Sequence, residues 1–273
     1  MQCQVCWHHC ELKEGQIGSC RARINKDGVI VSLNYGQLVS LALDPIEKKP
    51  LARFMPGSYI LSLGSFGCNM HCTFCQNYAI SQMGAADLDS EYYSPEDILS
   101  LAQRDREQGN VGVAFTYNEP MIGYEYVRDT AKIIKQAGMV NVVVTNGCVE
   151  QPILAEVLPY IDAFNIDLKS FNPEFYRRMG GDLETVKSFI TTAAAKSHVE
   201  VTTLVIPGEN DSTEEMTALA QWLSKVDTDL TLHVTRFFPR YKMLDKDSTP
   251  VATVYKLAEI ANKYLDNVYT GNC

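Results

Sequence analysis

The 273-residue sequence has no run approaching the roughly 20 consecutive apolar residues that a membrane span requires. Its start, Met1-Gln2-Cys3-Gln4-Val5-Cys6, lacks a basic segment followed by an apolar one, so the expectation is a cytoplasmic protein without a secretory leader. Positive charge is in short supply. The 24 Lys and Arg stand against 33 Asp and Glu, a net charge of −9. That deficit argues against dependence on long phosphate backbones, so nucleic acid is not an expected partner. Internal repeats and low-complexity linkers are also missing. Apolar residues at 46% and charged residues at 21% exclude a disordered tail, a collagen-like repeat and a disulfide-stapled miniprotein.

Cysteine, by contrast, is plentiful and unevenly placed. Four of the nine lie in the first twenty residues (Cys3, Cys6, Cys10, Cys20) and three within eight (Cys68, Cys72, Cys75), while Cys148 and Cys273 stand alone. An odd total in two tight clusters suits metal or redox chemistry better than a disulfide framework.

From about residue 58 the chain alternates. Tyr59–Leu63, Val111–Thr116, Val140–Thr145, Ala163–Asp167, Val199–Ile206 and Leu230–Phe238 are short β-branched or aromatic runs, predicted as strands. Ser94-Pro95-Glu96-Asp97, Asp211–Glu215 and Thr249-Pro250 are helix openings; Met121–Ala137, Glu150–Leu158 and Asp182–Ala195 supply further helices. Such alternation implies a parallel sheet. Polar residues gather after the carboxyl ends of all six strands, as at the rim of an α/β barrel; a doubly wound sheet would concentrate them at one switch point. The prediction is an α/β fold, a partial (β/α)6 TIM-like barrel over residues 51–273. Residues 1–50 form a small Cys-rich N-terminal appendage, with a hairpin from Val29–Asn34 and Leu38–Leu43.

Gly67-Cys68-Asn69-Met70-His71-Cys72-Thr73-Phe74-Cys75 follows the first of those strands with C-x3-C-x2-C spacing. Three close thiolates can hold three irons of a [4Fe–4S] cube from one loop, leaving the fourth iron open to a substrate or cofactor. A zinc site completed by His71, or three unrelated buried thiols, are the alternatives. Cys3, Cys6, Cys10 and Cys20 supply four thiolates, enough for a tetrahedral zinc or a second cluster. Gly15 and Gly18 permit the turn that returns Cys20. The lack of a second C-x2-C pair tilts this reading towards an auxiliary cluster, and His8 and His9 read as solvent-facing. Candidate catalytic groups are Cys148, after the Asn146-Gly147 turn, Tyr241, and Cys273, if the terminus reaches back over the barrel mouth. A buried thiol and a frayed end are the bland readings of the two cysteines. Arg236, Arg240, Tyr241 and Lys242 form a basic-aromatic patch, either a docking point for an acidic partner or a solvated rim. Lys48 and Lys49 carry no derivable role.

The C-x3-C-x2-C motif, with Phe74 before its last cysteine, resembles the signature of the radical S-adenosylmethionine (SAM) superfamily. Asn118-Glu119-Pro120 stands where that superfamily places a segment for the SAM amino group. Thr145-Asn146-Gly147, Asp167-Leu168-Lys169 and Val205-Ile206-Pro207-Gly208 resemble segments of glycyl-radical-enzyme activases such as that of pyruvate formate-lyase. Val144 occupies a position where those activases carry an acid, and Arg240-Tyr241 one where they carry Tyr-His. Asp44–Leu51, Cys75-Gln76-Asn77, Phe115–Pro120 and Gly271-Asn272-Cys273 widen the likeness, which is similar to the radical SAM member of the AmmeMemoRadiSam system.

The resemblance implies a [4Fe–4S] cluster on Cys68, Cys72 and Cys75, reductive cleavage of SAM to a 5′-deoxyadenosyl radical, and hydrogen abstraction from an unidentified substrate. That substrate is a glycyl-radical enzyme in the activase reading; a small molecule or another protein is the alternative. Cofactor contacts are expected from Phe74, Asn77, Asn118, Glu119, Asn146, Asp167 and Lys169. A one-electron reductant such as flavodoxin or ferredoxin is the expected partner. The rival class is a non-catalytic metal-binding or nucleic-acid-binding module, against which the acidic charge and the polar strand-end ring both speak.

Overall fold

A computed structural model describes residues 1–273. β1 (Arg23–Lys26) and β2 (Val29–Ser32) form an antiparallel hairpin across Asp27-Gly28. Both turn residues have positive φ, the conformation of a tight two-residue hairpin loop. β3 (Gln37–Leu38) pairs antiparallel with β6 (Glu91–Tyr92). β4 (Ser40–Pro45) pairs antiparallel with β5 (Tyr59–Gly64), opposing Leu41 to Leu63 and Leu43 to Leu61. β7 (Asn110–Phe115), β8 (Val140–Thr145), β9 (Ala163–Asp167), β10 (His198–Val205), β11 (Thr231–Arg236) and β12 (Asn267–Gly271) then continue the sheet in parallel. The order is β12-β11-β10-β9-β8-β7-β5-β4, and the two end strands do not pair with each other. The barrel is partial.

All six expected strands are present, flanked by two more. The expected hairpin is corrected. Leu38–Leu43 does not pair with Val29–Asn34, because the Asp27-Gly28 turn registers β2 on β1 while the leucines of β4 stack across those of β5. Residues 40–45 therefore belong to the barrel sheet. β12 has no apolar run to announce it; none of its residues is fully buried.

The helices are α1 (Tyr78–Ser81), α2 (Pro95–Arg104), α3 (Tyr124–Gln136), α4 (Gln151–Val157), α5 (Pro173–Arg178), α6 (Leu183–Ala194), α7 (Thr213–Val226) and α8 (Val251–Ala261). α2 starts as its sequence requires. Ser94 and Asp97 satisfy each other's backbone N–H groups in a capping box, with Pro95 in the first turn. Apolar faces of the longer helices pack on the sheet to form the main core.

After β4 the chain turns under the barrel. Ile46 and Leu51 pack against Ile60, Ala114, Val142 and Ala163 as a plug. The Pro50 carbonyl accepts from Asn165 Nδ2 at 2.8 Å. The Ala52 and Arg53 N–H groups donate to the Glu200 carboxylate at 2.9 and 2.8 Å. The N-terminal appendage docks outside the cysteine loop, where the Cys68 N–H donates to the Cys20 carbonyl at 3.2 Å. Gly67 is required there: a Cβ would stand 2.5 Å from that carbonyl oxygen, and φ is +84°.

Candidate active site

A cavity of about 620 Å³ lies within the barrel, and Cys68, Cys72 and Cys75 all line it. Two asparagines fix the loop that carries them. Asn69 Nδ2 donates to the Cys148 carbonyl at 2.7 Å, and Asn69 Oδ1 accepts from Asn146 Nδ2 at 2.9 Å. N–H donors also point at sulfur: Met70 N lies 3.3 Å and Asn146 Nδ2 3.6 Å from Cys68 Sγ. Cys75 Sγ lies 3.1 Å from Ser81 Oγ. Burial pushes the Cys68 thiol well above its ordinary range, with Glu119 and Cys72 adding to the shift. Burial likewise pushes Cys72 up to about 11, against the pull of Lys169. A bound cation would reverse that preference for the protonated form.

No three His, Cys, Asp or Glu side chains are placed to hold a single metal ion. A tetrahedral zinc would draw its thiolates to roughly 4 Å from one another, given Zn–S bonds of about 2.3 Å. His71 Nδ1 faces Gln82 Oε1 at 3.4 Å, and the ring is not on the cavity wall that the three cysteines line. Three soft ligands on a cavity wall, with N–H donors aimed at sulfur, suit an iron–sulfur cluster, whose metals sit further apart. Thr73 Oγ1, in the same loop, is buried without a partner.

Glu119 stands at the end of the segment after β7 and is 2% exposed. Oε1 accepts from Thr145 Oγ1 at 2.7 Å and Met121 N at 3.0 Å; Oε2 accepts from Asn146 N at 2.7 Å. All three donors are neutral. Burial pushes this carboxyl up to about 7 despite them. On the same cavity, Lys169 Nζ donates to Asp167 Oδ2 at 2.7 Å. Burial opposes the Lys169 charge, but Asp167 and Cys72 outweigh it and hold the ammonium above its usual range.

Phe74, Asn77, Asn118, Glu119, Asn146, Asp167 and Lys169 all line the cavity with the three cysteines. Two of them are already engaged as clamps. Asn118 Nδ2 donates to the Phe66 and Gly67 carbonyls, both at 3.1 Å, and Asn146 Oδ1 accepts from Cys148 N at 2.8 Å.

The candidate catalytic groups are corrected. Cys148 is fully buried off the cavity, where its sulfur accepts from Asp182 N at 3.3 Å. Tyr241 stacks on Tyr78, ring centroids 4.5 Å apart, and is not on the cavity wall. Cys273 is exposed; Asn272, in the left-handed region at φ +61°, reaches the cavity in its place. The basic patch stays outside, with Arg236 donating to the Thr249 carbonyl and lying over Phe238. His8 and His9 are not free in solvent either: His8 Nε2 is 2.8 Å from the Asn69 carbonyl oxygen, and His9 Nε2 is 3.2 Å from Glu150. Sequence reasoning missed Lys48, Lys49, Tyr117, Thr202 and Thr235 on the wall. The adjacent lysines before Pro50 were the available signal.

In the appendage, Cys3, Cys6 and Cys20 are buried and Cys10 is partly exposed. Cys3 N donates to the Cys10 carbonyl at 2.9 Å. Burial pushes the Cys6 thiol up to about 12, reinforced by the nearby thiols of Cys20, Cys3 and Cys10. The Cys20 thiol is likewise pushed up by burial, with Cys3 and Cys10 adding to the shift.

An uncharacterised protein of Methanocaldococcus jannaschii is 38% identical over 278 residues, covering all of this chain and 81% of that protein. The pyruvate formate-lyase 1-activating enzyme of Escherichia coli is 24% identical over 166 residues, covering 57% of this chain and 65% of that enzyme. Among solved structures, SuiB of Streptococcus suis bound to its precursor peptide SuiA superposes with a TM-score of 0.62 at 15% identity. That match covers 84% of this chain and 51% of SuiB and speaks for the fold alone. Residues 63–220, more than half of the chain, match the radical SAM superfamily, and the chain belongs to it.

Proposed function

We propose that this radical SAM enzyme binds SAM in the cavity and takes hydrogen from a substrate held beside it. Superfamily membership implies a [4Fe–4S] cluster and SAM. Cys68, Cys72 and Cys75 are the residues that would hold the cluster. One observation carries the reading: Glu119, a buried carboxylate whose three hydrogen-bond donors are all neutral, lines one cavity with Cys68, Cys72 and Cys75. A buried anion is costly; Lys169 acts on this one only at a distance, and a directly bonded ammonium is what it lacks. Glu119 would receive the amino group of SAM. Asp167 and Lys169, which line the same cavity, would orient its more distant polar groups. When bound, cluster and SAM together supply a 5′-deoxyadenosyl radical on arrival of one electron from a reductant such as flavodoxin or ferredoxin. The chain's own part is to fix the three thiolates, hold SAM and exclude water.

Reduced, anaerobic protein given SAM should release 5′-deoxyadenosine, and Cys72→Ala should abolish the release. Undiminished release by that variant would refute the assignment.

Cys3, Cys6, Cys10 and Cys20 would supply a second, closed metal centre, with an iron–sulfur cluster favoured over zinc because their spacing lacks a second C-x2-C pair. Protein in which Cys68, Cys72 and Cys75 are all alanine should retain iron and sulfide. Metal-free protein would remove the second centre, and zinc in place of iron would reassign it.

The activase relationship supports a glycyl-radical protein as substrate. Chemical radical modification of a small molecule is the second reading, favoured by a cavity floored with charged side chains.

A further inference from the structure

Glu47, Lys48, Lys49 and Pro50 also line the cavity, and the chemistry above uses none of them. The Lys49 side chain is only 2% exposed, yet it lies on the cavity wall. Its ammonium donates to Asp44 Oδ2 at 2.7 Å, and Asp44 is its one hydrogen-bond partner. An ammonium carries three N–H donors; Asp44 takes one and the Tyr117 ring lies against Nζ, which leaves donor capacity for a group in the cavity.

The same carboxylate is heavily shared. Lys48 Nζ donates to Asp44 Oδ1 at 3.1 Å and the Tyr117 hydroxyl to Oδ2 at 2.6 Å. Two cations thus meet one anion. Glu47 pairs with neither lysine; its Oε1 accepts from Gly57 N at 2.7 Å. Tyr117 is held in the left-handed region at φ +72°, its ring 4.9 Å from Lys49 Nζ. That ring packs where Gly64 leaves room; a Cβ there would stand 2.7 Å from ring Cδ2. A strained tyrosine and a buried lysine maintained together on a cavity wall mark a functional site. An ion pair that only stabilised the fold would need neither open donors nor a place on that wall.

The geometry points to an oxyanion subsite: Lys49, assisted by Lys48, receives the carboxylate or phosphate of a small-molecule substrate at the barrel floor. The rest of the molecule then extends towards the cysteine loop. This names the substrate class of the radical site and rests on the cavity being its substrate chamber.

The test is calorimetric titration of the cluster-loaded protein, with SAM present, using succinate, its neutral diamide and inorganic phosphate as probes. Succinate or phosphate should bind, their relative affinity distinguishing carboxylate from phosphate, and the diamide should not. Lys49→Met should weaken binding about tenfold or more, and Lys48→Met by a smaller factor. No binding by either anion, equal binding of the diamide, or unchanged binding by Lys49→Met would overturn the subsite. Should Lys49→Met fail to fold, unchanged affinity in Lys48→Met, whose side chain is largely exposed, would overturn it equally. Release of 5′-deoxyadenosine is measured in the same preparation. Anion binding without release sinks the SAM reading and spares the subsite; release without anion binding sinks the subsite alone.

Discussion

Two buried glutamates in one barrel have opposite characters. Glu200 sits low on β10, fully buried, and its carboxylate meets His198 at 2.9 Å, His233 at 2.6 Å and two backbone N–H groups. Burial alone would raise its pKa, but those partners hold it down to about 2. Glu119 sits at the rim, equally buried and met by three donors, yet burial prevails and carries it up to about 7. Both are well hydrogen-bonded. Each accepts two backbone N–H groups; what differs is that Glu200 also bonds two imidazoles able to carry positive charge, where Glu119 bonds only the neutral Thr145 hydroxyl. Glu200 is complete, and it ties the barrel floor to the sheet. Glu119 is incomplete and faces a cavity, as a binding residue must before its ligand arrives.

The largest effect expected from that contrast is structural. Glu200→Ala leaves two histidines and two buried N–H groups without their acceptor, and should cost about 3–5 kcal/mol of stability, measured by denaturant unfolding. A loss below about 1 kcal/mol would mean that the floor segment is held by its apolar plug alone. The pH dependence has a definite sign. The folded carboxyl titrates near 2 and the unfolded one near its ordinary value of 4.5, so the stabilisation is fully present above 4.5 and lost as pH falls towards 2.

This floor was invisible in the sequence, and the reason is physical. Glu200 and His233 lie on different strands, and the segment that closes on them comes from residue 52, so only the barrel's closure brings them together. Lys49 was equally obscure, since its meaning depends on Asp44 five residues away and on Tyr117 from another strand end. The rim was legible because its chemistry is local. Cys68, Cys72 and Cys75 share one turn of chain, and strand ends place Glu119, Asn146, Asp167 and Lys169 on the same wall once the parallel order is known. Cys148 misled because Gly147, in the left-handed region at φ +67°, turns the following chain inward, and the thiol is buried beside Asp182 rather than facing the cavity. The pairing of β4 escaped notice for a different reason: alternating leucines fit either neighbour, and the choice was made by a turn at Asp27-Gly28 that registers a shorter hairpin first.

The subtler consequence belongs to Glu119. A carboxyl near 7 when folded and near 4.5 when unfolded makes the native state bind the extra proton between those values. Stability of SAM-free protein should therefore decline as pH rises from about 4.5 to about 7, the reverse of the Glu200 contribution. Glu119→Gln removes the charge while keeping most hydrogen-bonding capacity, so its melting temperature should exceed that of the parent at pH 8 and match it at pH 5. SAM should narrow the difference by supplying the parent with the missing cation, while binding the glutamine variant more weakly. A parent protein with no such pH slope, or a variant that binds SAM undiminished, would show that Glu119 is as complete as Glu200 and has no ammonium to receive.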